Sequence, residues 1–137
     1  MSAKKEFGDF QTPYDLAVQV AERVSALGFT PKSILEPTCG KGNILLAACE
    51  EFPDAETAVG VEISAEYFDL ATSRFFVPRG GPEVKIVNAN FFDTDWSARL
   101  TELPDPLLVI GNPPWVTNSE LGLLGSGNLP VKSNFQK

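Results

Sequence analysis

The chain has 137 residues, a formal net charge of −7 and no histidine. That length supports one domain at most, or part of one, and the acidic balance argues against a surface that grips phosphates throughout. Without imidazole the chain cannot build a Ser-His-Asp or Cys-His centre, and most zinc sites are excluded as well, so no metal is expected.

Hydrophobic residues make up 43% of the sequence, ordinary for a folded domain, and no apolar run approaches the length of a membrane span. The start, Met-Ser-Ala-Lys-Lys-Glu, is polar and leads into no signal segment. A cytoplasmic setting with no membrane partner is the expectation, and Cys39 and Cys49 are expected to form no disulfide. Cys49 falls in an apolar helical stretch and reads as core, whereas Cys39 falls in a loop.

Thr12-Pro13-Tyr14-Asp15 reads as a helix start, with Thr12 as N-cap, Pro13 at the first helical position and Asp15 three residues after the cap. Leu16, Val20, Val24 and Leu27 follow on one helical face, so this helix runs to about Gly28. Residues 33–36 read as a short strand, 43–52 as a buried helix and 57–63 as a second strand. Ser64 caps a helix running towards Phe76, and Pro78-Arg79-Gly80-Gly81-Pro82 is a turn. A third strand, 83–87, leads into Asn88-Ala89-Asn90-Phe91-Phe92, and residues 96–100 suit one helical turn. Residues 107–110, Leu-Leu-Val-Ile, suit a buried fourth strand. Beyond Trp115 periodicity is lost, and 116–137 reads as irregular.

Strands alternating with helices predict an α/β fold, a Rossmann-like doubly wound parallel sheet with right-handed crossovers. Four strands are few for this architecture and the last has no following helix, so the sheet is expected to be incomplete in its C-terminal half. The strand at 107–110 would then present an unpaired hydrophobic edge, open to self-association with a second copy.

Ligands in such sheets bind at the carboxyl ends of the strands. The first strand delivers Glu36-Pro37-Thr38-Cys39-Gly40-Lys41-Gly42-Asn43, a glycine loop opening a helix. The loop lacks the full G-x-G-x-x-G of a dinucleotide fingerprint. The carboxylate of Glu36 would repel a pyrophosphate but suit an ammonium or sulphonium cation. Gly40 and Gly42 would admit a ligand close to the backbone, although a plain strand-to-helix turn explains the glycines equally well. Glu62 ends the second strand about twenty residues beyond Gly42, where an acidic residue takes ribose hydroxyls. A solvated strand-end glutamate is the alternative.

After the third strand, Asn90 offers an amide to an adenine edge and Phe91 a face for stacking, while Phe92 reads as core. One ligand matches these features together: S-adenosylmethionine fits and NAD does not. After the fourth strand come Gly111 and Asn112-Pro113-Pro114-Trp115. Each proline lacks an N–H and pushes its predecessor into an extended conformation. The Asn112 side-chain oxygen and the Pro113 carbonyl can thus project as acceptors beside the face of Trp115. Such a site suits a planar ring bearing an exocyclic amine. A proline-stiffened turn with a half-buried Trp accounts for the same residues.

As far as residue 115 the sequence resembles the amino-group DNA methyltransferases of the N6-adenine type. Phe10-Gln11-Thr12-Pro13 resembles their N-terminal cofactor motif, and residues 34–42 their glycine-loop motif. Val59-Gly60-Val61-Glu62-Ile63 resembles the ribose motif and Asn90-Phe91 the adenine motif. Asn112-Pro113-Pro114-Trp115 matches the catalytic (Asn/Asp/Ser)-Pro-Pro-(Tyr/Phe/Trp) motif. The motif order is like that of the gamma group, and residues 116–121 are similar to restriction-modification members.

The resemblance implies the sheet of an S-adenosylmethionine-dependent methyltransferase. It places Phe10, Thr12, Pro13, Glu36, Thr38, Cys39, Gly40, Gly42, Glu62, Ile63, Asn90 and Phe91 around the cofactor. Asn112, Pro113, Pro114 and Trp115 would meet the target base. Residues 1–115 would be the cofactor-binding part, 116–137 an extension of the catalytic loop, and DNA the partner of the full-length enzyme. Two residues depart from the pattern: Asn90 stands where the family usually has Asp, and Trp115 replaces the commoner Tyr or Phe. Such enzymes carry further strands and a target-recognition region after the catalytic loop. The chain is therefore expected to be an N-terminal fragment, inactive alone. A methyltransferase acting on a protein glutamine or an RNA base, and a non-catalytic cofactor-binding module, are the alternatives.

Overall fold

Four strands lie side by side in the order β3-β2-β1-β4: β1 (Ser33–Glu36), β2 (Thr57–Glu62), β3 (Glu83–Asn88) and β4 (Leu107–Val109). Every neighbouring pair is parallel; Leu35, for example, sits between Val59 of β2 and Val109 of β4. The computed structural model describes residues 11–77 and 79–114, and 11–113 form one compact unit. Residues 1–10 and 114–137 form the other, of which only Pro114, exposed, is described.

Strand alternation builds two apolar layers, one on each face of the sheet. Ile34 and Ala58 point into a cluster with Ile44, Leu45, Ala48, Leu108 and Ile110; Leu35, Val59 and Val61 point the other way, towards Leu103. The first layer is covered by α1 (Tyr14–Ala26) and α2 (Asn43–Glu51), with Phe75 of α3 (Ala65–Phe75) packed against it. The second is met by Trp96 of the short helix α4 (Trp96–Thr101). Helices on both faces make the sheet doubly wound, as the alternation of elements predicts. None of the described helices is long and apolar enough to cross a membrane.

All four residues of β1 are buried because it has a partner on each side and a layer on each face. Its polar ends need internal partners in consequence, and Ser33 finds one by donating its hydroxyl to the Pro104 carbonyl at 2.6 Å. The outer strands differ. On β3, Glu83 and Lys85 are exposed, an edge protected by charge. On β4, Val109 is 57% exposed, and among the described residues this strand is paired on one side alone.

Two details of α1 depart from expectation. The helix starts at Tyr14 with Pro13 at the N-cap, and no side chain caps it. Thr12 is one residue too early to serve, and its hydroxyl is engaged elsewhere. The large apolar residues also do not form the buried face: Leu16 and Val20 are exposed, and Leu27 is 83% exposed. Ala17 and Ala21, one turn apart, are buried in their place because α1 packs closely on α2, and small side chains allow that approach. Apolar periodicity tracks side-chain size; here close packing favoured the alanines.

Candidate functional site

From β1 the chain winds outward through β2 to β3, then returns across the sheet to place β4 on the other side of β1. The order reverses between β1 and β4, and the carboxyl ends of the strands at such a switch point are where open α/β sheets bind ligands. Glu36 ends β1 there, and Gly111 and Asn112 follow β4.

Glu36 is 2% exposed. The backbone N–H of Leu45, one of the first-turn donors that α2 cannot satisfy internally, hydrogen bonds to its carboxylate and lowers its pKa. Burial, and secondarily the charge of Glu62, outweigh that bond and hold the carboxyl well above the usual carboxylate range. Among the described residues, Oε2 has no hydrogen-bond partner. The backbone of Gly111 lies alongside: a Cβ there would sit 3.4 Å from Glu36 Cγ and 3.9 Å from Oε1. A buried carboxyl with one unpartnered oxygen at the switch point has the chemistry to accept a cation or an N–H donor.

The glycine loop after β1 is held by backbone bonds: Cys39 N–H donates to the Val61 carbonyl and Gly42 N–H to the Cys39 carbonyl, both at 2.8 Å. The third tie is Glu62, at the end of β2. Its Oε2 accepts the Gly40 N–H at 2.7 Å and its Oε1 accepts the Ser64 N–H at 2.8 Å. Glu62 is therefore not the solvated strand-end residue that was its alternative; it is 8% exposed. Each oxygen keeps a second lone pair. Gly40 has a φ of +55° and Gly42 of +86°, a region open to glycine. At Gly40 a Cβ would also come within 2.5 Å of Gln11 Oε1, which accepts the Lys41 N–H at 3.0 Å.

Cys39 is buried, and burial followed by the charges of Glu36 and Glu62 pushes its thiol pKa far up. It is a packing residue of the loop, with Sγ 2.9 Å from where a Cβ of Gly60 would be. Thr38 and Ile63 are half-buried. The Ile63 and Glu62 carbonyls accept from the Asn88 side-chain amide at 3.1 Å and 2.8 Å, which fastens the tip of β3 to that of β2.

After β3 a 3-10 turn (Phe91–Asp93) presents Asn90 and Phe91. Asn90 Oδ1 accepts the Phe92 N–H at 3.0 Å, and its carbonyl accepts the Thr94 hydroxyl at 2.7 Å. Phe91 is exposed, edge-on to Phe92 with ring centroids 5.3 Å apart and tilted against Trp96 at 5.2 Å. Trp96 donates its indole N–H to the Phe91 carbonyl at 2.8 Å. Phe92 does not join the core: it is 58% exposed, because the turn carries both phenylalanines outward and leaves Trp96 to cover the sheet.

Asn112 meets the N-terminal segment, its Nδ2 lying 3.4 Å from the Thr12 hydroxyl. The Thr12 carbonyl accepts the Asn43 side-chain amide at 2.7 Å. Glu36, Glu62, Asn90 with Phe91, and Asn112 therefore stand at the carboxyl ends of β1, β2, β3 and β4 respectively. Pro13, Pro113 and Pro114 are exposed. Phe10, Trp115 and the extension 116–137 lie outside the described residues. Gln11, Asn43 and Asn88 stand within stretches the sequence marks, yet nothing local assigns them a role. Asn43 directly follows the glycine loop and could have been found there; Arg74 lies mid-helix with no local signal.

Residues 1–126 match the profile of the family described as N-6 DNA Methylase. The type II methyltransferase M.NspV of a Nostoc species is 43% identical over 134 residues, which cover 97% of this chain and 28% of that protein. Two solved structures share the fold. A putative class I S-adenosylmethionine-dependent methyltransferase from Listeria monocytogenes aligns with a TM-score of 0.63 at 17% identity, over 97% of this chain and 40% of that one. The methyltransferase subunit of a type I restriction-modification system from Streptococcus thermophilus aligns with a TM-score of 0.56 at 24% identity, over 80% and 25%. With a profile match over most of its length and a layout of strand tips to go with it, the chain belongs to the N-6 DNA methylase family.

Proposed function

We propose that this chain is the cofactor-binding part of an enzyme that moves a methyl group from S-adenosylmethionine to the N6 amine of adenine in DNA. The observation that carries the reading is the buried Glu36 with its unpartnered Oε2 at the switch point, beside the backbone that leads to Asn112. An acceptor with no internal partner suits the ammonium of an amino-acid moiety. A phosphate-bearing dinucleotide would bring no such donor, and would meet repulsion wherever the carboxyl is ionised.

When bound, S-adenosylmethionine supplies an electrophilic methyl on a sulphonium. Glu36 would hold its ammonium, and the backbone around Gly40 and Gly42 would allow close approach. Glu62 would accept from the ribose hydroxyls through its remaining lone pairs, with Asn90 and Phe91 at the adenine. Phe10, Thr12, Pro13, Thr38, Cys39 and Ile63 line the same ligand in this reading. Asn112 Oδ1 and the Pro113 carbonyl would accept the two N–H bonds of the target amine, drawing its lone pair out of the ring and towards the methyl. Pro114 stiffens that loop, and Trp115 would stack on a base that has left the duplex. The chemistry a bound S-adenosylmethionine would supply is a methyl for the amine nitrogen, the carbon–sulphur bond breaking to leave a neutral thioether and the surplus amine proton passing to water.

The chain spans 28% of the length of M.NspV; target recognition and the basic surface that DNA requires are assigned to sequence beyond these residues. Residues 1–115 are read as the cofactor part and 116–137 as the catalytic-loop extension. The exposed Val109 on the outer strand β4 is the surface for self-association when this chain stands alone. A cytoplasmic setting belongs to the same reading.

Two measurements test it. Calorimetry with the 137-residue chain should detect S-adenosylmethionine binding that Glu36→Ala abolishes. In the complete enzyme, Asn112→Ala should lower methylation of duplex DNA by about a hundred-fold or more with cofactor affinity unchanged. Methylation of RNA or of a glutamine-bearing peptide in preference to duplex DNA would replace the substrate assignment, and equal loss of cofactor affinity would remove the role given to Asn112.

A further inference from the structure

Four residues far apart in sequence are linked by side-chain hydrogen bonds that end on Asn112. Arg74, near the end of α3, donates from Nη1 to Asn43 Oδ1 at 2.5 Å and to the Lys41 carbonyl at 3.0 Å. Asn43, the first residue of α2, donates its Nδ2 to the Thr12 carbonyl at 2.7 Å. The Thr12 hydroxyl accepts from Asn112 Nδ2 at 3.4 Å. Successive partners are separated by 31, 31 and 100 residues in the chain.

The chemistry of the partners fixes how the chain of bonds must run. A guanidinium only donates and a carbonyl only accepts, so an asparagine set between Arg74 and the Thr12 carbonyl has a single amide orientation. The bond from Asn43 to Thr12 is at the short end of the usual range, and the one from Arg74 is charge-assisted. Thr12 itself lies outside helix and strand and precedes a proline that offers no N–H. The hold of Asn43 on its carbonyl is a tertiary contact that fixes this residue while its hydroxyl meets Asn112. With the Asn112 nitrogen turned to Thr12, the amide oxygen faces the other way.

We propose that Asn43 and Arg74 are positioning residues for Asn112, acting through Thr12: they set the orientation of the Asn112 amide without touching either reactant. The same guanidinium grips the Lys41 carbonyl, and the Lys41 N–H is held by Gln11, so the network also joins the glycine loop to the catalytic loop. Its catalytic consequence rests on the role assigned to Asn112 above; the geometric link does not.

The test separates the two. In the 137-residue chain, the side-chain amide signals of Asn112 are followed by 15N–1H correlation NMR, identified by their loss in Asn112→Asp. Asn43→Asp keeps an oxygen for Arg74 and deletes the donor to Thr12; Thr12→Val removes the hydroxyl and keeps the shape. Both should shift the Asn112 signals away from their parent positions, while Thr12→Ser leaves them in place. Arg74→Gln should shift them in the same direction, and decides the matter if Asn43→Asp fails to fold. Signals that stay put in a folded Asn43→Asp or Arg74→Gln chain overturn the proposal. In the complete enzyme, Asn43→Asp should lower kcat roughly ten-fold with KM for S-adenosylmethionine little changed. Combined with Asn112→Ala it should cost nothing further. If Asn112→Ala is itself fully active, the assignment of Asn112 fails and the NMR result still judges the network.

Discussion

The Glu62 carboxylate accepts the N–H of Gly40 with one oxygen and the N–H of Ser64 with the other, at 2.7 Å and 2.8 Å, so one side chain ties the loop after β1 to the loop after β2. Hydrogen bonds to a charged acceptor are the stronger kind, and both N–H groups would be left without it in a truncated variant. Glu62→Ala is expected to lower stability by roughly 3 kcal/mol and to weaken S-adenosylmethionine binding with it. Glu62→Gln keeps one acceptor and should lose less. Urea unfolding and calorimetry on the same samples check this; a truncated chain as stable as its parent would show that the two ties carry no energy.

Glu36 should trade stability against binding. Burial raises its pKa, so the folded chain holds this proton more tightly than the unfolded chain does. The corresponding stability is fully present below the ordinary carboxylate pKa and is lost as pH rises through the raised value. Glu36→Gln cannot ionise, and its melting temperature should gain on the parent's as pH is raised from about 4 to about 8. The same variant should bind S-adenosylmethionine more weakly by a margin that grows as pH rises through the raised value. A difference in melting temperature that stays constant with pH would contradict the assignment.

Gly60, in the middle of β2, has no room for a side chain. A Cβ there would meet Cys39 Sγ at 2.9 Å and Ile86 Cδ1 and Leu45 Cδ2 at 3.0 Å. Gly60→Ala is expected to destabilise the chain by about 2 kcal/mol through overpacking, measured by thermal unfolding. Cys39→Ser should not rescue it fully, since Ile86 and Leu45 crowd the same position.

The two thiols should be inert in the folded state. Burial pushes Cys49 up to about 12, helped by the charges of Glu50 and Glu36, and pushes Cys39 higher still. The thiolate is the reactive form, so iodoacetamide at mildly alkaline pH should label neither residue until denaturant is added. Rapid labelling of the native chain would show that the glycine loop opens far more readily than its hydrogen bonds imply.

The sequence by itself determined what is local. Apolar runs marked the strands, Gly40 and Gly42 marked a backbone that must take positive φ, and carboxylates and amides at strand ends marked the polar tips. Turn and strand preferences act over a few residues, which makes such features legible one at a time. Which tips lie side by side, and which side chain answers which, depended on long-range packing. The β3-β2-β1-β4 order, and with it the meeting of Glu36 and Gly111, follows from packing the helices on both faces. Thr12 left the N-cap role because Asn43 and Asn112, distant in sequence, take its carbonyl and its hydroxyl. Phe92 turned outward because Trp96 covers the sheet, and the small Ala17 and Ala21 displaced Leu16 and Val20 from the inner face of α1. In each case a contact between distant segments outweighed a local preference worth a kcal/mol or less.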